Sequence, residues 1–120
     1  YPPGQEVIVY KGDTLVKAND LVDINDPLRE HVSLHIYQKP ELFKIQNVQA
    51  PEHYNYPDIF LEVDTELDFK LIEIIFNHFH KQNQSHFSLA QILDFLNQNS
   101  ELKNINNSVE RRWKQYRDDE

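Results

Sequence analysis

From Ile59 to Asp64 apolar and polar positions alternate, with Ile59, Leu61 and Val63 set against Phe60, Glu62 and Asp64. A period of two predicts a strand whose second face is mixed. The period then changes. Leu71, Ile72, Ile75, Phe76 and Phe79 recur at helical spacing, and Thr65 stands three residues ahead of Asp68, which predicts a capping box opening that helix. Upstream, the Pro2-Pro3-Gly4 turn signal leads into a short β-rich stretch, Glu6–Tyr10. Asp13 or Thr14 is expected to cap a helix through Leu15, Ala18 and Leu21-Val22, which Asn25-Asp26-Pro27 breaks. A second helical segment, 29–37, is expected to start from Asp26-Pro27, because proline suits a first turn. Phe43, Ile45 and Val48 suggest a third strand in imperfect register, and 51–57 is a tyrosine-bearing loop. After a polar linker, Ser88 is expected to cap a helix over Leu89–Leu96; 97–107 is asparagine-rich and turn-like, and 108–116 reads as a last helix.

A strand that passes directly into a helix is an α/β junction, and in open α/β sheets ligands gather beyond the carboxyl ends of strands. Three strands are too little sheet to cover four or five helices, so further strands are expected from an absent N-terminal half or from a second copy of the chain. The length, 120 residues, suits one ordinary domain, and 39% hydrophobic with 27% charged residues is a globular composition. The net charge of −8 opposes nucleic acid or an anionic membrane as partner. With no cysteine, disulfides, thiolate zinc sites and a cysteine nucleophile are ruled out. No apolar run is long enough to span a bilayer and no signal core opens the chain, so a cytoplasmic location is expected. A start at Tyr1 without methionine reads as the interior of a larger gene product. No internal repeat or low-complexity segment occurs.

The alternation puts Glu62 and Asp64 on one strand face, where two carboxylates suit a shared divalent cation, Mg2+ above all. The alternative is plain: an aspartate just before a helix caps it, and Glu62 faces solvent. His31 and His35 are four apart, hence on one helical face, but Glu30 precedes both and the metalloprotease order His-Glu-x-x-His is absent. Arg29 with one of these histidines suits an anionic ligand, its planar fork matching carboxylate or phosphate; an ordinary helix salt bridge is the alternative. Tyr54 and Tyr56 suit either a sugar ring or an interface. His78 and His80 read as filler of an amphipathic helix. Gly4 and Gly12 are the two glycines, so neither a glycine-rich phosphate loop nor a nucleophile elbow is present.

Several of these stretches together resemble one family. Pro2-Pro3-Gly4 before Glu6–Tyr10, Arg29-Glu30-His31-Val32 before Ile36-Tyr37, Val63-Asp64-Thr65 with Asp68, and Phe87-Ser88-Leu89 to Leu96-Asn97 with Leu102, Asn104 and Ile105 occur in the order seen in the C-terminal half of cytidylyltransferases of the spore-coat polysaccharide biosynthesis type. These are relatives of the acylneuraminate and 3-deoxy-manno-octulosonate cytidylyltransferases, and the likeness spans nearly the whole chain. The resemblance implies an α/β fold: the C-terminal half of a Rossmann-like three-layer α/β/α nucleotide-diphospho-sugar transferase over 1–82, for sugar binding and dimerisation, with a helical C-terminal extension over 83–120. It implies transfer of CMP from CTP to a sugar or sugar acid with release of pyrophosphate, a homodimer, and a missing N-terminal half that carries the nucleotide loop, so that this part alone is inactive. By resemblance Asp64 holds Mg2+ together with an earlier aspartate of the missing half, with Glu62 as a possible helper, and Arg29 and His31 belong to the sugar-side and dimer-side wall; Tyr54, as an aromatic face for a sugar ring, is expected to join them in binding the acceptor. The chain departs from the family at Glu66-Leu67, where Pro-Glu is usual after Asp-Thr, and at Glu62, where a neutral residue is common. A non-catalytic domain that docks on a partner protein through its amphipathic helices is the competing expectation.

Overall fold

The structure is a computed structural model that describes residues 1–31, 33–111 and 114. Its regular elements are four α-helices, α1 (Gly12–Leu21), α2 (Leu34–Tyr37), α3 (Glu66–Lys81) and α4 (Leu89–Gln98), with 3-10 turns at Pro27–Glu30, Glu52–Tyr54 and Ser100–Asn104. The chain divides into two compact units. One comprises Tyr1–Val7 with Gln49–Val109, the other Ile8–Val48 with the described residues after Val109.

In the first unit α3 sets the frame. Thr65 is its N-cap, accepting the Asp68 backbone N–H, and Asp68 in turn accepts the Thr65 N–H, so the predicted capping box is formed. Leu71, Ile75 and Phe79, each four apart, are 1%, 1% and 4% exposed and present one apolar face. Leu93 and Leu96 of α4 meet it, and Ile59 and Leu61 complete the cluster. Ser88 and Gln91 form a second capping box, so α4 begins where the sequence predicts and runs two residues past Leu96. The C-terminus of α3 is closed by Asn83 in the left-handed region at φ 56°. Its N–H donates to the His80 carbonyl at 2.9 Å and that of Gln84 to the Phe79 carbonyl at 3.0 Å, which satisfies carbonyls a helix end leaves open.

In the second unit α1 forms as expected but without the expected cap. Lys11 occupies the N-cap with no side-chain hydrogen bond, while Asp13 lies in the first turn, where a negative charge still meets the helix dipole. The predicted helix over 29–37 is not continuous: Asp26 caps the Pro27–Glu30 turn through Leu28 N–H, His31 ends it, and α2 begins at Leu34. Ala18, Ile36 and Phe43 form a small core with Tyr10 and Ile45 against it. The helix expected over 108–116 is not observed at 108–111, which hold a turn residue followed by irregular chain, and 112, 113, 115 and 116 lie outside the described residues.

The expected α/β fold is not observed. Among the described residues there is no strand and no sheet, so the architecture is helical with irregular connections and is not a Rossmann-like half. The reason is in the backbone. A strand exists by exchanging N–H and C=O bonds with a neighbour. At the predicted central strand those groups go elsewhere, since the Leu61 N–H donates to the Pro3 carbonyl at 2.8 Å and the Phe60 carbonyl accepts from the Asn106 side chain at 3.0 Å. At Glu6–Tyr10 the β-formers Val7 and Val9 are 84% and 88% exposed, and β-propensity without a surface to pack on does not make a strand.

Candidate functional site

The segment that carries Glu62 and Asp64 is held from three directions within the first unit. The first hold is the opening turn. Gln5 N–H donates to the Pro2 carbonyl at 3.0 Å across Pro3 and Gly4, and Gly4 takes φ 90°, as the third residue of a type II turn must. A Cβ on Gly4 would stand 2.4 Å from the Glu62 backbone nitrogen, so the turn presses backbone on backbone and only glycine fits. The second hold is Asp68, fully buried at the third position of α3. Its Oδ2 accepts from the Asp64 N–H at 3.2 Å, the Thr65 N–H at 2.9 Å and the Thr65 hydroxyl at 2.8 Å. The third is Asn106, 1% exposed, whose Nδ2 donates both to Asp68 Oδ1 at 2.7 Å and to the Phe60 carbonyl at 3.0 Å.

Between these holds Asp64 is exposed and Glu62 half-buried. The capping role that the sequence left open for Asp64 is filled by Asp68 and Thr65, while Asp64 supplies only its backbone N–H to Asp68. Tyr54 is half-buried against the same unit's core, with its ring 5.8 Å from that of Tyr1 and 4.1 Å from that of His53. Tyr56, packed on the same core, accepts a hydrogen bond from Asn97 at 3.2 Å.

Arg29 and His31 belong to the second unit, Tyr54, Glu62 and Asp64 to the first. The Arg29 guanidinium donates through Nη1 to the Val22 carbonyl at 3.0 Å and through Nη2 to the Asn19 side-chain oxygen, so two of its five donors brace the C-terminal end of α1. These two bonds go to a carbonyl and an amide oxygen, so they are not the helix salt bridge that was the alternative reading of Arg29. His31 caps the Pro27–Glu30 turn through its N–H on the Leu28 carbonyl at 2.8 Å. His35 lies in α2, so the two histidines do not share one helix; it is buried, and its Nε2 has no hydrogen-bond partner among the described residues.

Two features escaped the sequence. Asn106 is one of several asparagines in a stretch that reads only as a turn, and no pattern distinguishes it from Asn104 or Asn107. The other is an open groove of about 520 Å3 between α3 and α4, lined by Ile74, Asn77, His78, Lys81, Gln82 and Phe95. His78 is more than filler there, since its ring stacks on Phe95 at 3.9 Å and a ring nitrogen lies 3.0 Å from the Gln82 amide.

Two curated proteins are similar to this chain. Over 91 residues the chain is 31% identical to the spore coat polysaccharide biosynthesis protein SpsF of Bacillus subtilis, an overlap of 71% of this chain and 37% of SpsF. It is 42% identical over 90 residues to an uncharacterized protein of Methanocaldococcus jannaschii, covering 75% of this chain and 35% of that protein. The chain thus spans about a third of the length of these curated relatives. No protein-family model matches the chain, and no solved structure does. Among the described residues no helix is long and apolar enough to cross a membrane.

Proposed function

We propose that this chain forms part of a cytoplasmic, CTP-dependent nucleotidyltransferase that moves CMP onto a sugar or sugar acid for surface polysaccharide biosynthesis. Residues 1–120 alone are inactive in this reading, which places CTP binding in a further N-terminal part and has the full protein work as a homodimer. The likeness to SpsF, a polysaccharide biosynthesis protein, carries the proposal. The donor chemistry supports a metal role for Asp64, with Glu62 as helper: two oxygen donors two residues apart, one exposed and one half-buried, on a segment held at both ends. Mg2+ takes oxygen ligands in a near-octahedral set, keeps several waters and is often bound by one or two carboxylates plus substrate phosphate. No group of three metal-ligating side chains occurs among the described residues.

When bound, Mg2+ supplies charge neutralisation at the phosphate that is attacked. The chain's own part is positional. Asp68 and Asn106 hold the backbone that carries Asp64, and Tyr54 offers a half-buried aromatic face for a sugar ring. Arg29 and His31 are assigned to the acceptor side, Arg29 with the donors that α1 does not use.

A chimera of SpsF in which this chain replaces the matching span tests the reading, with pyrophosphate release from CTP followed against a panel of sugars and sugar acids. Release that Asp64→Ala abolishes is the expected result; release that Asp64→Ala leaves unchanged refutes the metal assignment. The second reading, a non-catalytic interaction domain, is favoured by Phe69 and Phe76, which stand 59% and 57% exposed on α3. Under that reading Asp64→Ala is silent, while Phe76→Ser disrupts association.

A further inference from the structure

We infer that Asn106 is a positioning residue for the Asp64 carboxylate, an inference that rests on the metal-holding reading of Asp64. Asn106 lies 38 residues from Asp68 and 46 from Phe60 along the chain, yet one buried NH2 group donates to both, at 2.7 Å and 3.0 Å. Those two acceptors bracket the segment. Phe60 precedes Glu62, and Asp68 holds the backbone N–H groups of Asp64 and Thr65. One amide therefore ties the incoming chain to the first turn of α3 and closes a loop with Glu62, Val63 and Asp64 across its span.

The geometry is selective. An amide NH2 has two protons in one plane, so it can serve a carbonyl and a carboxylate together, which a hydroxyl with its single proton cannot. The bond to Asp68 is buried and that to the Phe60 carbonyl is part-buried, so the loss of either is only partly made good by water. Asp68 by itself would still cap α3 through Thr65. It would not tie the Phe60 carbonyl to the first turn of α3, and without that tie the incoming chain keeps the Leu61–Pro3 bond but loses this one, so the segment that carries Asp64 is held less closely. A carboxylate that must meet a metal needs its segment held closely, because Mg2+ tolerates little departure from octahedral geometry. The residue expected to lie in a separate helical extension is thus a structural part of the proposed site.

The test compares the chain with Asn106→Leu, which keeps the volume and removes both donors, by residue-resolved amide hydrogen exchange and by broadening of backbone amide resonances on titration with Mn2+. In Asn106→Leu, exchange at Asp64 and Thr65 should quicken by about tenfold relative to amides of α4 in the same sample. Broadening around 62–65 should need about tenfold more Mn2+, as expected when a preorganised ligand is loosened. A uniform quickening across both regions means that Asn106 only fills the core, and overturns the inference, as does an unchanged Mn2+ dependence. If Asp64→Ala leaves the Mn2+ broadening of the unaltered pattern in place, or if Mn2+ broadens nothing in the unaltered chain, the metal reading falls instead, and the exchange comparison alone decides whether Asn106 positions the segment.

Discussion

Replacing Asp68 by alanine should strongly destabilise the first unit. The carboxylate accepts from the Asp64 N–H, the Thr65 N–H and hydroxyl, and the Asn106 amide, and it is fully buried while doing so. Losing the capping interaction costs about 1 kcal/mol. Leaving the Asn106 amide short of one buried acceptor costs about 1–3 kcal/mol more. Loss of a negative charge from the first turn adds about 0.5 kcal/mol. The total, about 2.5–4.5 kcal/mol, is a large part of the roughly 5–15 kcal/mol that holds a domain together. Asp68→Asn should cost about as much despite its matched shape, because its NH2 must then face either the two backbone N–H donors or the Asn106 amide. Glu66→Ala is the control, since Glu66 is an exposed first-turn acid outside the box. Urea unfolding followed by far-ultraviolet circular dichroism gives the three values. If Asp68→Ala falls within about 1 kcal/mol of Glu66→Ala, the buried network contributes little net stability and the reasoning fails.

Gly4→Ala should cost about 2 kcal/mol or more, since φ 90° is strained for alanine and its Cβ would meet backbone at 2.4 Å; a urea midpoint equal to that of the unaltered chain would refute it. Asn83→Gly should stabilise α3 by about 0.5 kcal/mol and Asn83→Ala should destabilise it by about 1 kcal/mol, as the left-handed cap requires; thermal melts that rank the two the other way would count against the cap. Tyr10 ionises above the usual tyrosine value, chiefly because burial disfavours the phenolate, with the nearby Tyr37 adding to the rise and a hydrogen bond with Ser33 opposing it. Its stabilising contribution is therefore complete below the unfolded value near 10 and is lost as pH rises through the higher folded value. Tyr10→Phe should flatten the alkaline fall in stability of the second unit, and an identical alkaline slope in both proteins would remove Tyr10 as a cause.

What the sequence disclosed was local. The Thr65–Asp68 box, the Ser88 cap, the Asp26-Pro27 turn and the apolar face of Leu71, Ile75 and Phe79 all depend on residues within a few positions of each other, and each is observed. What it hid was where backbone groups find distant partners. Nothing in the alternation of 59–64 states that the Phe60 carbonyl will meet an asparagine 46 residues later, or that Leu61 will donate to a proline carbonyl near the N-terminus. The α/β expectation failed at that point, because period two reports which side of a segment is buried and says nothing about its neighbours. The site residues show the same division. The sequence put Glu62 and Asp64 together because they are two apart, whereas Arg29 became a brace for α1 through a carbonyl and an amide that periodicity does not reveal.

The burial along 59–63 explains how that pattern operates without a sheet. Ile59 and Leu61 are 4% and 5% exposed, whereas Val63 is 52% exposed, so the alternation is honoured for two positions and then released. Release coincides with the approach to α3, where the backbone is no longer held by the Pro3 contact but by Asp68. The apolar side chains of the segment gain their stabilisation from α3 and α4, and its polar backbone gains its own from a turn and an asparagine. Burial and hydrogen bonding are thus met by different parts of the chain. A segment built this way needs no laddered neighbour to stay in place, and it turns Asp64 outward while its backbone is anchored inward. That combination, an exposed carboxylate on a fixed main chain, is what the proposed metal role requires and what loss of Asn106 should undo.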